Sequence, residues 1–468
     1  MTMTEFDLLV AGGTAVLPGM GLTACDIAVS GGKIAAILAP GTKVQAARVV
    51  DATGLVVMPG AIDAHLHLGH GKDIARPRVP EDADRETAGA AKGGVTCMIP
   101  YLMGTGPYEE IFDEVVAVTE AGARIDFGYH FIISTEDQLA GVPAYITEYG
   151  APTLKIFMNN RGGEGARLGL PDIDDGFFYR LAEHAAAHGG MVAPHPENIE
   201  VAWVLRKREM ERDPDGTGGL AAWDATRPGF VEAEAVQRAA FLANHAGAPL
   251  YVVHTSSAAA LDAALARRAA GDRVHLETCP HYLTHDVTWQ GGDLGKINPP
   301  LRAPADRERL WQAIASGQID TVATDHVHRD ASSKEGGIWK ASPGCPGMET
   351  MLPVLLTEGH HARGVSLERI AELVSENPAR LMGLSHAKGR IAPGLDADLV
   401  LVDLDAEWVL RREDVVSSAG YSIYEGQRFK GAIRHTFVRG AAVVADGAPV
   451  DASRGIGRYQ RRKLGADV

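Results

Sequence analysis

The stretch LVVMPGAIDAHLHLG, residues 55–69, places two histidines at the end of a short apolar run. Side chains at positions i and i+2 of a β-strand project to the same face, so we expect His65 and His67 to point the same way. Two imidazoles on one face form a natural pair of metal ligands. An isolated His-x-His pair is weak evidence for a metal site, so the other ligands have to come from elsewhere in the chain.

Seven further apolar runs follow this one, and helix-length segments separate them. The alternation predicts parallel strands connected by helices, and eight such units favour a closed (β/α)₈ TIM barrel over residues 55–384. An open doubly wound sheet is the alternative, but no GxGxxG motif follows the first strand to support it. The eight runs are LVVMPGAIDAH (55–65), GGVTCMIPYL (93–102), RIDFGYHFII (124–133), TLKIFM (153–158), GMVAPH (190–195), PLYVVH (249–254), VHLETCP (274–280) and IDTVATDH (319–326).

The two ends of the chain, residues 1–54 and 385–468, differ from this middle part. Both contain short β-type runs with Gly-rich turns. Each end is too short to bury a core alone, so we expect the two to form one small composite β-sandwich beside the barrel. The charged, Gly- and Pro-rich segment 206–229 predicts either a surface loop or a lid over the barrel mouth.

The composition excludes several classes of protein. With 468 residues, 46% apolar residues and a net charge of −15, the chain is expected to be globular and to bind neither nucleic acid nor an anionic membrane. No apolar run approaches the roughly 20 residues that a membrane span needs, and no signal peptide is expected. Four scattered cysteines without a CxxC pair predict reduced thiols and a cytoplasmic location.

Three other runs end in a polar residue on their C-terminal side: His195, His254 and Asp325. The C-terminal ends of barrel strands form the face where TIM barrels build their active sites. Each residue alone is explained by a capping role, but together with His65 and His67 they predict a shared site. Imidazole and carboxylate ligands suit a divalent ion such as zinc, manganese or iron.

Lys155 is the only charged residue in the run TLKIFM. A free ammonium is costly to desolvate in a buried strand. Either the side chain extends to the barrel rim and keeps its ammonium in water, or burial lowers its pKa until the neutral amine reacts with CO₂ to give an N-carboxylate that bridges two metals. The spacing alone favours the first alternative.

Nearly the whole chain carries short motifs that are specific as a set: PGAIDAHLHLG, LKIFM, HPEN, YVVHTSS, ETCPHYL, INPPLR, ATDH, PGMET, ENPARLMGL and KGRIAPGLDADLVLVD. Together they resemble the amidohydrolase superfamily, and within it the dihydropyrimidinase, hydantoinase and allantoinase group of cyclic amidases. The resemblance implies a binuclear metal barrel, a β-sandwich from both termini, a small cyclic amide as substrate, and a homo-oligomer, either a tetramer or a dimer.

The resemblance also implies roles for single residues. It implies two divalent ions per chain, in the first place zinc, that share a hydroxide. Lys155 matches the N-carboxylated lysine that bridges the ions. Asp325 matches the general acid/base that takes the proton of the attacking hydroxide and delivers it to the leaving nitrogen. The ligands of the more buried ion are matched by His65, His67 and Asp325, and those of the second ion by His195 and His254.

One departure from the group concerns the oxyanion. Hydantoinases and dihydropyrimidinases carry a tyrosine five residues after the bridging lysine, and Asn160 stands there in this chain. Asparagine donates a hydrogen bond but is shorter and not acidic. Either Asn160 substitutes in part, or a donor such as His130, Tyr101 or Arg161 enters, or the substrate differs.

A second departure concerns contact with the substrate ring. Pro343-Gly344 stands where relatives often have Asn-Gly, and proline has no N–H to donate. Asn298 matches a residue whose backbone contacts the ring in relatives, and the stretch HLHLGHG lacks the arginine with which dihydroorotases bind a carboxylate. The first hypothesis is therefore hydrolysis of a hydantoin, dihydropyrimidine, allantoin, lactam or imide. The second is hydrolysis of a linear amide or carbamate, and the third is a non-catalytic scaffold, against which the six filled ligand positions argue.

Overall fold

Two β-sheets organise the chain in the computed structural model, which describes residues 5–468. One sheet is built from both ends of the chain and the other from its middle. The strands, numbered along the chain, are β1 (Glu5–Leu17), β2 (Gly21–Ser30), β3 (Lys33–Leu38), β4 (Gln45–Asp51), β5 (Val56–Pro59), β6 (Ala61–His67), β7 (Val95–Leu102), β8 (Asp126–Phe127), β9 (His130–Ile132), β10 (Thr153–Phe157), β11 (Met191–His195), β12 (Leu250–Val252), β13 (Val274–Thr278), β14 (Thr321–Val322), β15 (His326–Val327), β16 (Leu399–Val409), β17 (Arg428–Val438), β18 (Ala441–Ala445) and β19 (Ala448–Pro449).

The middle sheet is parallel and closes on itself. Parallel pairing runs from β6 through β13 to β14, and β15 returns to pair with β6. Since β8 and β9 occupy one position next to β7, and β14 and β15 form one interrupted strand, the sheet has eight positions around the ring. The (β/α)₈ barrel that the alternation of apolar runs predicts is confirmed.

Helices occupy most of the connections between the barrel strands. Local signals set their ends: the Asp174 side chain accepts a hydrogen bond from the Phe177 N–H at the start of α4, and Gly189 ends that helix in the left-handed region. The α-helices are α1 (Pro80–Lys92), α2 (Phe112–Gly122), α3 (Glu136–Thr147), α4 (Asp175–His188), α5 (Ile199–Arg212), α6 (Gly219–Thr226), α7 (Gly229–Ala246), α8 (Ala258–Ala269), α9 (Pro280–Thr284), α10 (Pro304–Ala315), α11 (Met351–Val354), α12 (Leu367–Ala371) and α13 (Asn377–Leu381).

The segment 206–229 is largely helical, so its prediction as a loop is wrong. It contains the end of α5, all of α6 and the start of α7. Leu220, Ala222 and Trp223 of α6 are buried, and this packing overrides the weak periodicity and the Gly and Pro residues nearby. None of the helices within residues 5–468 has the length and apolar character that crossing a bilayer requires.

The composite sheet joins the two ends of the chain through β5. This strand pairs in parallel with β1 and antiparallel with β16, with Leu399 opposite Pro59. Side chains from both ends form one apolar core, including Ile27 of β2 and Phe437 of β17. Only Gly60 separates β5 from the barrel strand β6, and a Cβ there would lie 2.1 Å from the Thr96 hydroxyl, so a residue without a side chain is needed.

A buried ionic cluster connects the composite sheet to the barrel. Lys388 is 2% exposed, and its Nζ donates to Asp126 of β8 at 2.7 Å, to Asp398 at 2.7 Å and to Asp396 at 3.1 Å. Arg439, which follows β17, also pairs with Asp126. Burial opposes the charge on Lys388, but the carboxylates of Asp398 and Asp126 raise its pKa well above the ordinary value. The cluster therefore holds the barrel against the composite sheet as long as its lysine and its carboxylates are all charged.

Replacing this lysine is expected to destabilise the whole chain. Lys388→Met leaves Asp398 buried without its cation and Asp126 with Arg439 alone, so the free energy of unfolding should fall by about 3–5 kcal/mol. Urea denaturation followed by circular dichroism measures the change. Lys33→Met is the control, because Lys33 also pairs with Asp396 but its side chain is 52% exposed; it should cost less than about 1 kcal/mol. Equal losses in both variants would contradict the role of burial.

Candidate metal centre

All six predicted metal ligands line one pocket at the C-terminal ends of the barrel strands. All six residues are buried, with at most 8% of their surface exposed. Because they come from strands in five different positions, only the closed barrel brings them together. The six residues are His65 and His67 of β6, Lys155 of β10, His195 of β11, His254 after β12, and Asp325 between β14 and β15.

Three of them form a compact cluster of metal-ligand atoms. The donor atoms of His65, His67 and Asp325 all lie within 4.8 Å of one another. Asp325 Oδ1 is 3.1 Å from His65 Nε2 and 3.6 Å from His67 Nε2. The Asp325 N–H also donates to the His65 carbonyl at 2.8 Å, which holds the two strand ends side by side. Two imidazoles and one carboxylate in a buried cleft are a donor set that suits a divalent ion.

Glu277 of β13 sets the orientation of His65. The His65 Nδ1–H donates to Glu277 Oε1 at 2.6 Å, and the same oxygen accepts from the His254 N–H at 2.8 Å. The other oxygen accepts from the Tyr251 hydroxyl at 2.8 Å. With Nδ1 occupied, Nε2 of His65 faces the cluster and lies 3.1 Å from Asp325 Oδ1. A histidine held in this way presents a lone pair to a metal.

The side chains of His195 and His254, the second pair of histidines, face each other across the pocket. His195 Nδ1 lies 2.8 Å from His254 Nε2. The other nitrogen of His195 lies 2.7 Å from Glu197, whose carboxylate also accepts from Arg227 at 2.8 Å. Burial opposes ionisation of Glu197, but Arg227 and His195 lower its pKa to about 2. A permanent carboxylate therefore orients His195, and two imidazole nitrogens remain directed at each other, as a second ion requires.

Lys155 does not reach the barrel rim. It is 1% exposed, and its Nζ lies 4.7 Å from the centre of the Tyr101 ring and 5.5 Å from that of Phe157. The rim alternative, which the spacing alone favours, is therefore wrong. Burial lowers the pKa of Lys155 to about 8. The neutral amine, which is the form that reacts with CO₂, is then still a minority near neutral pH, but a far larger one than in an ordinary lysine.

Two of the candidate ligands sit in an unusual backbone conformation. His254 has φ 41° and Asp325 has φ 48°, and among the described residues only two other non-glycine residues have a positive φ. Such a conformation costs about 1–3 kcal/mol per residue and persists where surrounding contacts impose it. Both residues lie near the C-terminal end of a barrel strand and line the pocket.

Asn160 and Asn298, two predicted substrate contacts, border the pocket. Asn160 is 3% exposed, and its Nδ2 has no hydrogen-bond partner among the described residues. Gly165 leaves room for this amide, since a Cβ there would lie 2.8 Å from Asn160 Cγ. Asn298 Oδ1 accepts from Trp223 Nε1 at 3.2 Å. The free amide of Asn160 is thus a donor available to a bound molecule.

His130 and Arg161, the other two candidates, are not among the residues that border the pocket. His130 is fully buried with Nε2 2.9 Å from the Ala64 carbonyl and Nδ1 against the Thr153 hydroxyl. Its ring stacks on Tyr101 at 4.4 Å. Arg161 pairs with Asp175 at 2.5 Å. Contact with a substrate would require either side chain to give up these interactions.

Two residues of the site, Glu277 and Asp63, were not predicted from the sequence. Glu277 is a lone charge inside the apolar run VHLETCP, which is the same signal that singles out Lys155. Asp63 accepts from the Thr324 N–H at 3.0 Å and the Thr324 hydroxyl at 2.5 Å, next to Asp325. Asp63 precedes His65 by two residues, so their side chains lie on the same face of the strand, and this spacing could have indicated Asp63.

Comparison with known proteins identifies the family of the chain. Residues 250–443 match the model of the Amidohydrolase family. The L-hydantoinase of Paenarthrobacter aurescens is 33% identical over 98% of this chain and 98% of its own length. The allantoinase of Rubrobacter xylanophilus is 36% identical over 98% of this chain and 99% of its own.

A solved structure shows the same likeness in three dimensions. The dihydropyrimidinase from Brevibacillus agri NCHU1002 superposes with a TM-score of 0.88 at 29% identity, covering 98% of this chain and 99% of that one. The folds therefore agree over the barrel and the composite sheet alike. The chain belongs to the amidohydrolase family, in the group that contains the hydantoinases, dihydropyrimidinases and allantoinases.

Proposed function

We propose that this chain hydrolyses a ring C–N bond of a cyclic amide of the hydantoin, dihydropyrimidine or allantoin type, with two divalent ions as cofactors. The observation that carries the proposal is the convergence of six metal-ligand candidates on one buried pocket. The names of the relatives, L-hydantoinase and allantoinase, support the substrate class. The resemblance also supports a homotetramer or homodimer and a cytoplasmic location.

The donor set of the pocket fits two ions. When bound, two divalent ions lower the pKa of a water molecule and polarise the substrate carbonyl. Imidazole and carboxylate donors suit zinc first, and manganese or iron also. His65, His67 and Asp325 would hold one ion and His195 and His254 the other, with N-carboxylated Lys155 between them.

Lys155 would supply the missing anionic ligand. The neutral amine attacks CO₂, forms an N–C bond and loses one proton, which leaves a carbamate with two oxygens. Among the described residues, no carboxylate lies within ion-pair distance of the buried Lys155 ammonium. The reaction would replace this cation by an anion, which two divalent ions would stabilise. The low pKa of Lys155, about 8, makes the reacting form accessible.

Asp325 and Asn160 would handle the proton and the developing charge. An amide nitrogen leaves poorly unless it is protonated, so a group has to carry the proton of the attacking water to that nitrogen. Asp325 has a carboxylate in the pocket for this transfer. The free Nδ2 of Asn160 would donate to the substrate oxygen as negative charge develops there.

A substrate panel tests the proposal directly. Hydantoins, dihydrouracil, allantoin, lactams, imides and linear N-acyl amides and carbamates are assayed with zinc and with manganese. We expect at least one cyclic amide to gain one molecule of water, detected by mass spectrometry as the ring-opened acid. Turnover of linear amides alone would contradict the cyclic substrate class. No turnover together with no bound metal after reconstitution would indicate a non-catalytic homologue.

Removal of the bridging lysine is expected to remove metal and activity together. Lys155→Ala should lower the metal content measured by elemental analysis, and short carboxylic acids should restore part of both metal and activity, because they replace the carbamate oxygens. Lys92→Ala, in the last turn of α1, is the control and should retain its metal. Full activity of Lys155→Ala would refute the bridging role.

Loss of the Asn160 amide is expected to slow the chemical step. Asn160→Ala removes one donor to the oxyanion, so kcat should fall by about 10²-fold, with a smaller change in KM. Asn160→Asp keeps the shape but has no N–H to donate, and it should lose as much. Both variants should retain full metal content. An unchanged kcat in Asn160→Ala would show that another group stabilises the oxyanion.

A further inference from the structure

A second pocket adjoins the metal centre. The two pockets share Glu164, Arg167, Asn298 and Pro343 as lining residues, so a molecule bound at the metal centre can extend from one to the other. Five cations line the second pocket, against the single carboxylate of Glu164, although the chain as a whole carries a net charge of −15. We call it the cationic pocket; its cations are Arg167, Arg206, Arg227, Lys296 and Lys340.

Lys296 is the central charge of the cationic pocket. It is 3% exposed, and its Nζ lies 4.1 Å from the centre of the Trp223 ring and 3.3 Å from the Trp339 carbonyl. None of the ion pairs within residues 5–468 includes Lys296, whereas Arg206 and Arg227 of the same pocket are both paired with glutamates. A buried ammonium without a carboxylate is unfavourable, and the aromatic face offsets only part of that cost. The site is therefore short of one negative charge.

The one carboxylate of the pocket is already engaged. Glu164 Oε1 lies 3.2 Å from an Arg227 nitrogen and 3.7 Å from an Arg206 nitrogen. Burial in the first place, and then the charges of Arg167, Lys334 and Arg227, lower the pKa of Lys296 to about 7. The positive charges therefore repel one another, and an anion placed between them would relieve that repulsion.

We propose that the cationic pocket binds a carboxylate on the side chain of the substrate, so that the enzyme acts on cyclic amides with an anionic substituent. The inference rests on the proposed function, because it assigns the part of the substrate that extends away from the metal centre. Lys296 and Arg167 bind the carboxylate, and the indoles of Trp223 and Trp339, 6.5 Å apart, pack against the apolar stem.

The first experiment compares a charged and an uncharged substrate of the same length. Hydantoin-5-propionic acid and its primary carboxamide differ only in the charge of the terminal group. The wild type should prefer the acid in kcat/KM by about tenfold or more, as charge-assisted hydrogen bonds require. Lys296→Met and Arg167→Gln should each lower the acid-to-amide ratio by about tenfold.

Lys207→Met is the matched control for this comparison. Lys207 follows Arg206 in α5, its side chain is 79% exposed, and it is not among the residues that line the cationic pocket. The same charge is removed, but the acid-to-amide ratio should stay within about twofold of the wild type. A ratio near one in the wild type, or an equal drop in the control, would overturn the proposal. Arg167 is exposed, so Arg167→Gln remains informative even if Lys296→Met does not fold.

The second experiment measures binding without turnover. Glutarate and glutaramide are titrated into the metal-loaded protein, and the fluorescence of Trp223 and Trp339 is followed. Glutarate should give a saturable change that glutaramide does not, and Lys296→Met and Arg167→Gln should weaken it by about tenfold. Glutarate binding that both variants leave unchanged would place the anion on the metals and overturn the proposal.

The two experiments separate failure of the inference from failure of the proposed function. If no cyclic amide is hydrolysed but glutarate binds in a Lys296-dependent way, the anion site stands and the proposed reaction fails. If hydantoins are hydrolysed without preference for the acid and glutarate does not bind, the reaction stands and the anion site fails.

Discussion

Closure of the barrel between its first and last strands is the constraint on which the site depends. Strand β15 pairs with β6, and Thr324 donates to Asp63 from 261 residues further along the chain. This pairing brings Asp325 to 3.1 Å from His65. An open sheet would leave these two residues at opposite edges, so the cluster of His65, His67 and Asp325 would not form.

The pocket concentrates interactions that are unfavourable in isolation. A buried lysine, facing imidazoles and two ligands with positive φ all raise the free energy of the folded chain. Buried carboxylates offset part of this cost, since Glu277 and Glu197 accept hydrogen bonds from the imidazoles and hold their orientation. This arrangement fits the membership of a family of hydrolases that work through bound ions.

Two adjoining pockets divide the work of the proposed enzyme. The metal centre would determine which bond breaks, because its ligands and Asp325 act on the amide itself. The cationic pocket would determine which side chain the substrate carries, because Arg167 lies with Asn298 and Pro343 at the boundary between the pockets and Lys296 lines only the cationic pocket. Outside both pockets, the ion cluster around Lys388 ties the barrel to the composite sheet. Catalysis and assembly thus rely on separate buried charges.

The sequence by itself determined the barrel and five of the ligand candidates, because strand alternation and a polar residue at a strand end are local properties of the chain. Lys155 became the sixth candidate only through the resemblance to a family. The same local reasoning would have singled out Glu277, a lone charge in an apolar run, but not the residues to which it hydrogen-bonds. The tertiary structure decided what depends on distant contacts: the burial of Lys155, the bonds that occupy His130 and Arg161, the helix within 206–229 and the cationic pocket. These features combine residues from separate strands and connections, and only packing determines which of their charges meet.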